Sequence, residues 1–198
     1  MESDLKTAGR ELEELRRWET EQNTKSCIGH RRFPSACLRL LKGIQGNLFC
    51  VDCGASNPQW AAVSFGTLLC LQCSGKHRQL GVQLSVVRSI TMDSWSHRNV
   101  LAMLEGGNKQ CSDFFDRHGL PSDNHDQEVD RYQTNAAMFY RNNLSLHIKH
   151  VEDLGEYKGR DWSRKMRRKK RKSSSSSSRC GNLEKKEISQ NELVRVGS

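Results

Sequence analysis

The apolar positions of this chain change rhythm several times, and each change predicts an element. Leu5, Ala8, Leu12 and Leu15 fall at heptad-like spacing in a stretch that is otherwise charged. The stripe lasts only about two heptads, too short for a coiled coil. Residues 1–33 therefore read as a charged N-terminal helix, solvated or lightly docked. Pro34 can open the next helix, which carries Cys37, Leu38, Leu40, Leu41 and Ile44, with Gly43 and Gly46 marking its end. A strand pattern then takes over. Trp60 to Phe65 is strand-like, Gly66 makes the turn and Thr67 to Leu69 returns, which predicts a hairpin. A short helix follows over Gln72 to Leu80, closed by Gly81, and Ser85 to Met92 reads as another strand.

Helical spacing returns downstream. Ser94 or Ser96 can cap a helix bearing Trp95, Val100, Leu101, Met103 and Leu104. Gly106 and Gly107 break it, and a shorter helix with Cys111, Phe114 and Phe115 runs toward Gly119 and Pro121. After an acidic loop, Tyr132, Ala136, Phe139, Tyr140 and Leu144 mark one face of a last helix. The expected fold class is α+β: over residues 34–150, a short three-stranded antiparallel sheet flanked by several α-helices. Beyond Val151 the patterning stops. Arg164 to Lys172 is almost continuously basic and Ser173 to Ser178 is unbroken serine. Neither can build a core, so residues 151–198 read as a basic, Ser-rich disordered tail.

The formal charge of +9 is concentrated in that tail. Seven basic and seven acidic residues balance up to Phe33, eleven meet nine from Pro34 to Val151, and fourteen meet seven from Glu152 onward. The charge thus gives no reason to assign nucleic-acid binding to the central region. For the basic run three readings stand: a solvated charge run, contact with an anionic membrane surface, or a nuclear-import or nucleic-acid segment. Phosphorylation of the adjacent serines would cancel charge there. No apolar run approaches the roughly 18 residues of a membrane span, and the N-terminus lacks the apolar centre of a signal peptide. A cytoplasmic or nuclear protein is expected.

Eight cysteines occur, at positions 27, 37, 50, 53, 70, 73, 111 and 180. Four of them form Cys50-x2-Cys53 and Cys70-x2-Cys73, sixteen residues apart. Two such turns aim four thiolates at one point, the pattern of a four-cysteine zinc site. Four protein ligands leave no open position for water, so the predicted Zn2+ is structural. A redox Cys-x-x-Cys would call for a βαβ context that the pattern lacks. The other four cysteines are scattered and read as structural or incidental.

The residues around the zinc ligands are more specific. Pro58-x-Trp60-Ala61 lies between the pairs. After Cys73 come Ser74-Gly75-Lys76-His77-Arg78-Gln79-Leu80-Gly81, then Ser85, Val87-Arg88-Ser89, Asp93 and Gly106-Gly107-Asn108. Over about residues 35–150 this order resembles the catalytic domain of the Arf GTPase-activating proteins. That family has the same cysteine spacing and an arginine five positions after the last cysteine, here Arg78. Lys76 and Gln83 depart from its usual pattern, which has an apolar residue and a histidine there. The resemblance implies a GTPase activator, not an enzyme by itself, that acts in trans on a GTP-bound Arf-family GTPase. It implies a role in vesicle trafficking, at the cytoplasmic face of Golgi or other vesicle membranes.

In that reading Arg78 is the catalytic arginine finger, and Arg88 is the alternative candidate. Trp60 is a core residue or a partner contact, His77 is structural or at the surface, and Arg88 and Asp93 support the site. Two other functional classes remain: an Arf-binding module with little catalytic power, and a zinc-finger nucleic-acid binder. The second lacks a basic, base-reading helix within the zinc region.

Overall fold

The computed structural model describes residues 2–22, 31–120 and 130–177. Among the described residues, seven α-helices accompany a small sheet: α1 (Glu2–Gln22), α2 (Ser35–Gly43), β1 (Trp60–Ala62), β2 (Thr67–Leu69), α3 (Leu71–Gln79), β3 (Val87–Ser89), α4 (His97–Glu105), α5 (Asn108–Arg117), α6 (Asn135–Leu154) and α7 (Arg160–Ser177), with a 3-10 turn at Asp130–Gln133 before α6. β1 is the central strand, antiparallel to β2 and to β3. The hairpin, the third strand and the α+β class match the sequence reading. Each strand is only three residues long, because the chain turns away to reach the cysteine cluster or the helices.

The caps explain where the helices begin. Ser96, not Ser94, caps α4 by accepting from the Asn99 N–H at 3.1 Å. Thr134 does the same for α6 through Ala137. α2 is capped from a distance: the Glu11 carboxylate accepts from Ser35 Oγ and from the N–H groups of Ala36 and Cys37. A carboxylate is favourable at a helix N-terminus because the exposed N–H groups carry partial positive charge.

That cap corrects the first sequence reading. α1 is firmly docked: Ala8, Leu12 and Leu15 are buried against α2 and α4. The four-residue apolar stripe looked too short alone, but it lies over two helices whose position no local pattern reveals. α1 therefore packs on the region that begins at α2 instead of standing apart in solvent. Residues 23–30, including Cys27, lie outside the described residues.

The disordered-tail reading is also corrected. α6 continues to Leu154, and α7 spans the whole basic run and the serines up to 177. Tyr157 and Ser163 are buried. Ser163 Oγ donates to Glu105 Oε1 at 2.9 Å, and Glu105 Oε2 lies 2.8 Å from His147 Nε2. α7 is thus held by polar contacts that a hydrophobic pattern does not display. Residues 178–198 lie outside the described residues.

On α6 the buried side chains are Ala137, Tyr140, Leu144, His147, Ile148 and Val151. Phe139, expected on the inner face, is exposed and stacks on Phe114, while Ala136 is only half-buried. Tyr132 belongs to the 3-10 turn and is fully buried against Phe65 and Phe115. The hairpin turn at Gly66 sits against the α4–α5 break: a Cβ on Gly66 would lie 2.5 Å from the Ala102 carbonyl oxygen. Only glycine at 66 permits that approach.

Candidate functional site

The two Cys-x2-Cys turns come together as the spacing predicts. One ligand atom from each of Cys50, Cys53, Cys70 and Cys73 lies within 4.8 Å of all the others. Cys53 Sγ and Cys70 Sγ are 3.5 Å apart. Cys70 also begins α3, its sulfur accepting from the Cys73 N–H. Hydrogen bonding to Cys73 pulls the Cys50 thiol down to about 5, and the same contact pushes Cys73 up. Four sulfurs this close cannot all ionise without a cation among them, and the set suits a metal ion. Cys37 and Cys111 are buried elsewhere, and burial raises each thiol to about 12. They are packing residues.

α3 runs from this cluster, and Arg78 lies exposed in its last turn. Its guanidinium sits over the Trp60 ring, 4.4 Å from the centroid. Trp60 is half-buried at the start of β1, paired with Leu69 on one side and Ser89 on the other. It packs against the core and also supports Arg78. Arg88 lies on β3 with its guanidinium donating to the Ser94 carbonyl at 2.8 Å. Asp93 accepts from the Ser89 N–H at 2.6 Å. Both fix the turn after β3, behind Trp60.

His77, next to Arg78, faces inward and is fully buried. Its Nδ1 lies 2.8 Å from Ser85 Oγ. Its Nε2 lies 3.2 Å from Asp52 Oδ2. Asp52 stands between Cys50 and Cys53 and is buried. Its Oδ1 accepts from Arg131 Nη2 at 2.7 Å and from the Tyr132 hydroxyl at 2.6 Å. Burial raises the Asp52 carboxyl, but His77, Arg131 and Tyr132 outweigh burial and hold it below the ordinary value. One carboxylate thus ties the first cysteine turn to the helix carrying Arg78 and to the segment entering α6.

A second latch is Asn108. Its side chain accepts from the Leu68 N–H and donates to the carbonyls of Leu68 and Phe49, while its own N–H donates to Asn47. It joins β2 to the segment leading into Cys50. The sequence carried a signal for Asn108 in its Gly-Gly-Asn context. For Asp52, Arg131 and Tyr132 it carried none, because a polar residue's burial depends on partners about 80 residues away.

Three comparisons bear on this arrangement. Residues 35–149 match the family model ArfGap, described as GTPase activating for Arf. Mouse (Mus musculus) "ADP-ribosylation factor GTPase-activating protein 3" is 42% identical over 110 residues, 55% of this chain and 20% of that protein. "ADP-ribosylation factor GTPase-activating protein GCS1" of Saccharomyces cerevisiae is 49% identical over 80 residues, 40% of this chain and 23% of that one. The chain thus spans about a fifth of the length of these relatives. Among solved structures, a protein from Cryptosporidium parvum assigned as a GTPase activating protein for ADP ribosylation factor superposes with a TM-score of 0.54. It is 26% identical, and the match covers 61% of this chain and 99% of that one. The family match covers more than half of the sequence and includes the cysteine cluster, α3 and the sheet that supports it: this chain belongs to the ArfGap family.

Proposed function

We propose that this chain stimulates GTP hydrolysis by an Arf-family small GTPase, with Arg78 inserted into the partner's active site. The observation that carries this reading is the placement of Arg78: an exposed guanidinium, one helix from the four-cysteine cluster and supported by Trp60. Phosphoryl transfer gathers charge on the oxygens of the transferring group. An arginine supplied in trans can offset that charge and accelerate turnover by about 10³ to 10⁵, or roughly 4–7 kcal/mol of barrier. A planar, permanently charged fork suits the task, and a lysine does not reproduce it. The rival arginine, Arg88, already spends its guanidinium on the Ser94 carbonyl. Nucleotide and catalytic water belong to the partner in this reading; the chain supplies one side chain and the scaffold that aims it.

The same proposal assigns a structural zinc ion to Cys50, Cys53, Cys70 and Cys73. Zinc–sulfur bonds of about 2.3 Å place tetrahedral sulfurs about 3.8 Å apart, which fits sulfurs gathered within 4.8 Å. Zinc would supply no step of the reaction; it would lock the first turn of α3 to the cysteine turn before β1. Metal analysis should find one zinc per chain. We further propose that the chain acts in the cytoplasm at vesicle membranes, which cell fractionation tests.

Single-turnover GTP hydrolysis by a purified Arf-family GTPase, with and without this protein, tests the activity. Arg78→Lys should keep the fold and zinc content and lose most of the stimulation. Equal stimulation by wild type and variant would remove Arg78 from the mechanism.

A further inference from the structure

The sequence reading left the basic run without a place, and the structure gives it one. α7 lies along α5 and α6, and the three helices enclose a cleft of about 390 Å³. Arg164, Arg167 and Arg168 line one wall; Phe114, Phe139 and Asn143 line the other. Glu105 is the acid at its base, and its carboxylate is already committed to His147 and Ser163.

Three arginines and one acid line the cleft. Arg160 and Arg164 both donate to the same neutral acceptor, Gln110 Oε1, and Arg164 also reaches the Glu105 main-chain carbonyl. Hydrogen bonds from arginine to phosphate oxygens are stronger than those to a neutral amide oxygen, so an anion in the cleft would be a better acceptor than Gln110. Burial, then the nearness of Arg164, holds the Arg160 guanidinium below its ordinary pKa. Farther along, Lys170 and Arg167 add positive charge beside His150 on α6. Next to this field lies an apolar edge: Phe139 and Leu146 are 60% and 63% exposed and, seven residues apart, share one face of α6.

We propose that this α5–α6–α7 cleft docks on a membrane surface bearing phosphorylated lipid headgroups, with the arginines on the phosphates and Phe139 and Leu146 at the lipid boundary. Arginine forks match phosphate oxygens. An exposed phenylalanine and leucine beside a cationic helix have the composition of an interfacial face. Nucleic acid would use the same charges and could stack a base on Phe139, but the aliphatic Leu146 beside it suits a lipid boundary better than a base. The proposal stands independently of the role assigned to Arg78.

Vesicle sedimentation of the whole chain tests it, using phosphatidylcholine alone, phosphatidylcholine with phosphatidylserine, and phosphatidylcholine with phosphatidylinositol bisphosphate at the same total charge. Binding should require anionic lipid and be strongest with the bisphosphate. Soluble inositol trisphosphate should compete only weakly, because it lacks the apolar boundary. Arg167→Glu with Arg168→Glu should weaken binding roughly 30-fold or more. Lys165→Glu with Lys169→Glu makes the same charge change on exposed α7 positions outside the cleft and should weaken it far less. Phe139→Ala with Leu146→Ala should weaken binding at unchanged charge, which keeps the test sound if the arginine pair disturbs α7. Equal losses from the two charge pairs would reduce the cleft to diffuse attraction and overturn the proposal. So would failure to bind any anionic vesicle, or retention of single-stranded RNA, lost in the arginine pair, without vesicle binding.

Discussion

The Arg78 guanidinium rests over the Trp60 indole at 4.4 Å, although seventeen residues, including a hairpin, lie between them in sequence. The contact joins the last turn of α3 to the central strand and limits where the guanidinium can point. An exposed cation–π contact is worth about 0.5–1 kcal/mol. Trp60→Ala should therefore lower GTPase stimulation by a few-fold through a less ordered Arg78, far less than Arg78→Lys does. Single-turnover rates for both variants check the order; a larger loss from Trp60→Ala than from Arg78→Lys would make Trp60 a principal partner contact instead.

Asp52 is the buried anion that Arg131 and His77 share. Asp52→Ala leaves Arg131 with an uncompensated buried charge, which costs about 3–5 kcal/mol. Urea denaturation should show that loss. Stimulation by the folded fraction should fall as well, since His77, directly before Arg78, loses the carboxylate it faces.

The docking of α1 is open to a stability measurement. Leu12→Ala should cost about 2–5 kcal/mol, as for a leucine removed from a packed core. Glu11→Ala should cost about 1 kcal/mol, because it uncaps α2. A solvated helix would show neither loss.

His97 provides a pH signature. It opens α4 near Arg16 of α1, and burial first, then Arg16, pushes its pKa from 6.5 down to about 4. Between those values the unfolded chain binds a proton that the folded chain refuses. The His97 contribution should leave stability undiminished above pH 6.5 and erode it as the pH falls toward 4. Denaturation midpoints across that window should drop, and His97→Gln should flatten the drop.

The legible part of the molecule is the part written in local spacing. Each Cys-x2-Cys pair, the hairpin around Gly66, the helix from the second cysteine pair to Arg78 and the cap at Ser96 arise from residues within a few positions of one another. Phe139 misled for the same reason: periodicity marks a face, but only the neighbours decide whether it is covered. α7 misled more strongly, because a run of arginine and lysine carries no core signal and is held instead by Ser163, Arg160 and Arg164 on Glu105 and Gln110.

By itself the sequence determined the four-cysteine set, the strand–turn–strand unit and the arginine offset, since turn chemistry and Cys-x2-Cys spacing are short-range. Only the tertiary structure decided that Arg78 rests on Trp60, that Asp52 binds Arg131, and that α1 and α7 belong to the fold. Each of these joins residues distant in sequence, and burial of a charge or an apolar stripe depends on partners that chain folding alone brings near.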